Sequence, residues 1–147
     1  MLQLTKRTEY GLIALTHLVF QEGRVASARE IAEHYPVPKR VLAEVLKGLT
    51  AARLVDSHRG AHGGYTLARP ADAITVGDVV AALEGEPTLT SCASLELSSG
   101  GGCDVEPVCP IRSPIHRLRS DIWDLFQRTT LSDIARPLPA RSTLHAR

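Results

Sequence analysis

The chain has 147 residues, of which 44% are apolar, and its formal charge at pH 7 is +1. These values suit one globular domain, or a small domain with an appendage. The sequence lacks an apolar run long enough to cross a bilayer, and its first residues lack the apolar core and cleavage site of a signal peptide. It also lacks a cofactor fingerprint, a pair of catalytic carboxylates and a nucleophile motif. We therefore expect a cytoplasmic protein that contacts no membrane, is not an enzyme and has no small-molecule substrate.

Charge is distributed unevenly along the chain. Residues 1–70 carry ten Lys and Arg but only six Asp and Glu, a net charge of +4, whereas residues 71–147 carry −3. A basic module joined to an acidic remainder favours an anionic partner for the first part. This signal is weak by itself.

The first seventy residues contain two helix-start signals. Thr5 or Thr8 can cap a first helix, and Gly23 ends it. Residues 27–30 read Ser-Ala-Arg-Glu, which predicts a capping box at the start of a short second helix. The apolar residues of the first helix are spaced for one buried face: Leu12, Ile13, Leu15, Leu18 and Val19.

A third helix, over about residues 38–52, has two different faces. At 100° per residue its apolar side chains gather on one side, while Arg40 and Lys47 project from the other. Two short helices joined by a tight turn, the second with a basic outer face, are typical of a DNA-binding helix-turn-helix. The alternative is a solvated amphipathic helix in any small bundle. The apolar side is formed by Val41, Leu42, Val45, Leu46 and Leu49.

A β-hairpin is predicted directly after the third helix. Residues 54–58 and 65–67 have strand composition, and a glycine-rich turn separates them. Such a hairpin is the wing of a winged helix, in which glycines let the backbone approach DNA while Arg59 and His62 supply hydrogen-bond donors. A purely structural hairpin is the alternative, and the combination of both elements favours DNA binding.

A fourth helix, capped at Thr75, is followed by a long helix that begins near residue 113. Ser113 and Pro114 predict its cap and first position. Apolar residues then recur at steps of three and four, which predicts a coiled-coil seam for dimerisation. Docking of this helix on its own domain is the alternative. The predicted dimerisation residues are Ile115, Leu118, Ile122, Trp123, Leu125 and Phe126.

The predicted fold is mostly α: a winged helix-turn-helix with a short β-hairpin wing, a cysteine-bearing loop and a long C-terminal dimerisation helix. The winged helix is assigned to residues 1–86, with its first helix also contributing to the dimer. The loop covers residues 87–112. The dimerisation helix and a last helical turn cover residues 113–135, and residues 136–147 read as a disordered tail.

All three cysteines lie in the loop, at Cys92, Cys103 and Cys109. Their number and clustering favour metal or redox chemistry over disulfides in a reducing compartment. The spacing lacks the close pairs of a structural zinc ribbon but lets the loop wrap an iron–sulfur cluster. Zinc and unligated, redox-active thiols remain alternatives. His116 is a candidate fourth ligand or a polar surface residue, and His17, His34 and His58 read as ordinary, partly exposed histidines.

Three motifs together resemble the IscR/NsrR/RirA family of iron–sulfur winged-helix transcription regulators. They are residues 5–10 (TKRTEY), residues 59–65 (RGAHGGY) and the three-cysteine loop before a long helix. The resemblance implies a homodimer on a partly palindromic double-stranded operator, with one 2Fe–2S or 4Fe–4S cluster per subunit held by the three cysteines. It implies repression switched by cluster state. The DNA-contacting residues are then expected to be Thr5, Lys6, Arg7, Pro38, Lys39, Arg40, Lys47, Arg59, His62, Gly63, Gly64 and Tyr65.

The chain departs from the family pattern at the fourth ligand. IscR-type proteins have a histidine three residues after the last cysteine, where this chain has Arg112. NsrR-type proteins use an acidic residue in the partner's first helix, and Glu9 falls at that position. The resemblance therefore ranks Glu9 of the partner subunit first, His116 second and an exchangeable ligand third. Ala43 replaces the acidic specificity residue of IscR-type recognition helices, so operator preference does not transfer.

Overall fold

The computed structural model describes residues 3–85, residue 89 and residues 108–136. Within these ranges the chain forms six α-helices and a two-stranded antiparallel sheet, with a short 3-10 turn at Ala71–Ala73. Cys92, Cys103 and the predicted tail from residue 137 onward lie outside the described residues. The elements, in chain order, are α1 (Lys6–Phe20), α2 (Ala28–His34), α3 (Lys39–Ala51), β1 (Val55–His58), β2 (Gly64–Leu67), α4 (Val76–Leu83), α5 (Arg112–Arg128) and α6 (Leu131–Ala135).

The fold is a winged helix-turn-helix, as predicted. Helices α2 and α3 form the helix-turn-helix, and β1 and β2 form the wing, with Val55 paired to Leu67 and His58 to Gly64. Among the residues that the structure describes, no helix is both long and apolar enough to cross a membrane.

The hydrophobic core lies between α1, α3 and α4. The apolar side of α3 supplies four buried residues, as its periodicity predicts, and Ala14, Leu15 and Leu18 face them from α1. Leu131 of α6 closes the core and is fully buried. Burial of this set orients α3 so that its basic side faces away from the core. The four buried residues of α3 are Leu42, Val45, Leu46 and Leu49.

Helix caps agree with the sequence at some ends and differ at others. Thr5 caps α1 and accepts a hydrogen bond from the Thr8 amide, and Thr75 forms the reciprocal box with Asp78 at α4. The predicted capping box at α2 is only half formed. Ser27 accepts from the Glu30 amide, but the Glu30 carboxylate accepts from Arg24 instead, at 3.0 Å.

The start of α5 differs from the prediction. The helix begins at Arg112, Ile111 occupies the cap position, and no side chain caps it, so Ser113 is not its cap. Pro114 is then the third helical residue rather than the first. This is possible because the first-turn amides of a helix have no intrahelical acceptor, so a proline there loses no hydrogen bond.

The end of α5 is attached to the winged helix by backbone hydrogen bonds. The Val76 amide donates to the Thr129 carbonyl at 2.8 Å, and the Leu131 amide donates to the Ile74 carbonyl at 2.9 Å. Gln127 packs on Gly77 so closely that a Cβ there would lie 2.7 Å from its amide carbon. Nevertheless, none of the residues of α5 is buried within this chain.

Candidate DNA-binding surface and cysteine site

The basic side of α3 is exposed over its whole length. Lys39, Arg40 and Lys47 are all exposed, and Arg40 and Lys47 lie opposite the four buried leucine and valine side chains. Pro38 is also exposed and occupies the N-cap of α3. The second helix of the helix-turn-helix therefore presents three exposed cations, of which Arg40 and Lys47 share the side that faces away from the core.

The wing presents two further donors at its tip. Arg59 and His62 are exposed in the turn between β1 and β2. His58, also exposed, is held on β1 by a contact of 2.9 Å between its Nε2 and the Thr66 hydroxyl. Tyr65 instead packs against the core and is half-buried.

The two adjacent glycines of the wing are required by the fold itself. A Cβ on Gly63 would lie 2.6 Å from the His58 carbonyl oxygen, and one on Gly64 would overlap the backbone of Ala26. Ala26 pairs with Tyr65 as an isolated bridge, with hydrogen bonds of 2.8 and 3.1 Å, and thus ties the wing to the segment before α2. Gly64 is buried in this contact.

The first turn of α1 carries the third group of expected DNA contacts. Thr5, Lys6 and Arg7 are exposed. The Lys6 ammonium group donates to Glu9 at 2.5 Å, an ion pair within one chain. Glu9 is half-buried, and it is the residue that the resemblance ranks first as the cluster ligand from the partner subunit. Lys6 contacts only its Oε2.

Glu84, which no local pattern in the sequence singles out, occupies the C-cap of α4. Its Oε1 accepts a hydrogen bond from the Thr5 amide at 3.2 Å, another from the Thr5 hydroxyl at 2.6 Å and a third from the Thr8 hydroxyl. Thr8 is fully buried. Burial of the carboxylate opposes its ionisation, but these hydrogen bonds and the charge of Arg7 lower the pKa of Glu84 below its usual value. The contact spans 76 to 79 positions, so no local pattern could reveal it.

The residue before Glu84 contacts both helices that are expected to approach DNA. A Cβ on Gly11 of α1 would lie 2.7 Å from Leu83, and one on Gly48 of α3 would lie 3.1 Å from it. These two glycines let the end of α4 pack directly against α1 and α3. Gly85 follows with φ of +83°, a left-handed conformation typical of a helix end.

The cysteine site is only partly within the described residues. Cys109 has a free thiol, is half-buried and precedes α5, and its carbonyl accepts from the Arg112 amide at 3.4 Å. His116 is half-buried on α5. In the described ranges, no three His, Cys, Asp or Glu side chains converge on a position that could hold a metal ion. The three-cysteine donor set of the predicted cluster therefore stays a prediction from the sequence.

His17 differs from its prediction, since it is only 5% exposed rather than partly exposed. The start of α2 and the turn after it cover the side of α1 that carries His17, and the ring of Tyr35 meets its imidazole edge-on. Burial is the main cause of its lowered pKa, against the raising effect of Glu30. The ring borders a cavity of about 650 Å³ between α1 and α2, which is also lined by Arg24, Glu30 and His34.

Comparison with known proteins identifies the family. The family model described as "Rrf2: Iron-dependent Transcriptional regulator" matches residues 4–137. The chain is 30% identical to CymR of B. subtilis, described as its global cysteine regulator, over 92% of this chain and 97% of that one, with a TM-score of 0.70.

Two further solved structures are similar over nearly their whole length. The oxidised form of Staphylococcus aureus CymR is 28% identical over 95% of this chain and 100% of that one, with a TM-score of 0.71. IscR of T. potens is 28% identical over 95% and 94%, with a TM-score of 0.66. Members of this family are transcriptional regulators, not enzymes, and they bind DNA. The chain belongs to the Rrf2 family of winged-helix transcriptional regulators.

Proposed function

We propose that this protein is an iron–sulfur-cluster-dependent transcriptional repressor that binds a partly palindromic operator as a homodimer, with its DNA affinity set by cluster state. The observation that carries the proposal is the combination of a matched Rrf2 family model with three cysteines clustered between the winged helix and α5. Because its partner is DNA, the proposal also places the protein in the cytoplasm.

In the proposed complex, each subunit inserts α3 into a major groove and its wing into the adjoining minor groove. The exposure of the three cations of α3, and of Arg59 and His62 at the wing tip, supports this arrangement. Operator half-sites would lie about 34 Å apart, one helical turn. Contacts from Lys6, Arg7 and the cations of α3 would fall mainly on phosphates, which makes binding steeply salt-dependent.

The proposed homodimer forms through the apolar side of α5. Leu118 and Leu125 are 49% and 50% exposed in the single chain, and the other predicted seam residues are half-buried. A helix of this kind, anchored at its C-terminal end and apolar along one side, suits pairing with a second copy of itself.

Cys92, Cys103 and Cys109 would hold the cluster, with Glu9 of the partner subunit as the first candidate for the fourth position and His116 as the second. Thiolates are the ligands that iron–sulfur clusters use, and the free thiol of Cys109 fits this donor set. When bound, the cluster supplies a group sensitive to redox state, nitric oxide or iron supply. The chain would bind the cluster, and binding or loss of the cluster would change the positions of α1 and α3.

Spectroscopy of protein purified without oxygen tests the cluster. We expect a brown protein with visible absorption, iron and sulfide in stoichiometric amounts, and a Mössbauer spectrum of either a 2Fe–2S or a 4Fe–4S centre. The triple replacement of Cys92, Cys103 and Cys109 by serine should abolish all three signals while preserving the helical circular dichroism. A colourless, iron-free wild-type preparation under anoxia would contradict the proposal.

A second candidate is a winged-helix regulator that senses through its thiols without a cluster. It is favoured by the similarity to CymR, a cysteine regulator whose Staphylococcus aureus form is known in an oxidised state. This candidate predicts reversible disulfides among the three cysteines and no visible absorption. A zinc-containing regulator, the third alternative, predicts a colourless protein with zinc bound to each chain.

A further inference from the structure

Two consecutive residues at the end of α4, Leu83 and Glu84, contact α1 and α3. Leu83 packs between Gly11 of α1 and Gly48 of α3, and Glu84 holds the first turn of α1 through Thr5 and Thr8. Cys92 follows Glu84 by only eight positions in the chain. The segment that leads into the cysteines therefore starts from a residue bonded to a DNA-facing turn.

The three hydrogen bonds of Glu84 fix the position of that turn. A helix N-terminus has amides without intrahelical acceptors and a partial positive charge, and a carboxylate satisfies both. Thr5 is the cap of α1, and Lys6 and Arg7 are the next two residues. Because the Glu84 carboxylate binds the Thr5 amide and hydroxyl, the direction in which Lys6 and Arg7 leave the helix depends on where α4 ends.

We propose that Glu84 is a positioning residue for DNA binding, which fixes the first turn of α1 so that Lys6 and Arg7 reach phosphates. This inference rests on the proposed role of α1 as a phosphate-contacting element. It is distinct from ligation by Glu9, because the Glu84 contacts lie within one chain and do not require a second subunit.

The sign of the effect separates positioning from simple charge. Removing an acidic side chain near DNA normally strengthens binding, because one repulsion with phosphate disappears. If Glu84 positions Lys6 and Arg7, its removal weakens binding instead. Asp72, exposed in the 3-10 turn, provides a matched control that removes one negative charge without touching α1.

The experiment uses the full chain and a labelled duplex that the wild-type protein selects from a random library. We expect Glu84→Ala to bind it about tenfold more weakly, with the slope of log affinity against log salt reduced by about one to two, as for lost phosphate contacts. Asp72→Ala should bind at least as tightly as wild type. Glu84→Gln, which keeps an oxygen acceptor, should recover most of the affinity, and Thr8→Val should lose part of it.

A double-mutant cycle excludes an indirect effect. In a Lys6→Ala/Arg7→Ala background, Glu84→Ala should have almost no further effect on affinity, because the residues it positions are gone. All binding is measured below the melting temperature of each variant, with and without the cluster. Wild-type affinity for Glu84→Ala, an unchanged salt slope, or additive losses in the cycle would overturn this inference alone. Failure of the wild-type protein to bind any duplex would overturn the proposed function as well.

Discussion

Helices α3 and α5 are both amphipathic, but they are covered to very different extents. Four of the thirteen residues of α3 are buried, and its apolar side is closed by α1 and α4 of the same chain. None of the seventeen residues of α5 is buried, although its apolar side is as regular. The apolar side of α3 is thus covered within one chain, whereas α5 keeps an apolar side that its own chain leaves partly exposed. Under the proposed function, substitutions on α3 should therefore weaken DNA binding without changing the dimer, whereas substitutions on α5 should act first on the dimer.

The largest effect is expected on dimer stability, from substitutions on the exposed apolar side of α5. Leu118→Glu combined with Leu125→Glu should weaken the dimer by about 100-fold or more, since loss of each interface anchor costs about 2 kcal/mol or more. Sedimentation velocity measures the change. The matched control is Ser113→Glu with Ser120→Glu, which adds the same charge on the opposite side of the helix and should leave the dimer intact. A stable dimer of the leucine variant would place the interface elsewhere.

The second effect concerns the exposed side of α3. Lys47→Ala and Arg40→Ala should each weaken operator binding by up to about 3 kcal/mol. Each should also lower the slope of log affinity against log salt by about one per lost phosphate contact. Fluorescence anisotropy at several salt concentrations gives both quantities. Arg128→Ala at the end of α5 removes the same charge and should change neither. If all three substitutions act alike, the chain binds DNA through its net charge rather than through α3.

The third effect is on the stability of the fold, through the packing of α4 against α1 that helps to cover the apolar side of α3. A Cβ on Gly11 would lie 2.7 Å from Leu83 and 3.5 Å from Val79, both in the core. We expect Gly11→Ala to lower the free energy of unfolding by about 1–3 kcal/mol, because overpacking outweighs the better helix propensity of alanine. Urea denaturation measures it. Gly48→Ala, with its nearest contact at 3.1 Å, should cost less, and an equal or larger loss there would show that Leu83 is held mainly against α3.

The smallest effect is the pH dependence that His17 contributes. Burial lowers the pKa of His17, so the folded state binds fewer protons than the unfolded state once the pH falls below the ordinary histidine pKa of about 6.5. Stability should therefore decrease as the pH falls from 7.5 toward 5. His17→Gln should flatten this part of the melting-temperature profile. Equal profiles for wild type and His17→Gln would contradict the assignment.

Local patterns in the sequence were sufficient for most of the fold. The two faces of α3, the hairpin and the cap at Thr75 depend on residues within a few positions of one another, and the structure confirms each of them. The apolar repeat of α5 is also evident in the sequence, but the repeat does not indicate whether the same chain or a second molecule packs on its apolar side.

The features that the sequence missed depend on distant contacts. Burial of His17 requires the turn after α2 to fold over α1, and the hydrogen bonds of Glu84 join residues 76 to 79 positions apart. The start of α5 at Arg112 was missed for the opposite reason. A strong local signal, serine followed by proline, is compatible with more than one position in the first turn.

The central claim is that the state of the cysteine site sets DNA affinity. The most direct measurement compares operator dissociation constants for one anaerobic preparation before and after its cluster is removed by chelation, at fixed salt and protein concentration. We expect a change of about 5- to 150-fold, which corresponds to a coupling of about 1–3 kcal/mol. Equal dissociation constants for the two forms, with iron loss verified in the same sample, would contradict the account.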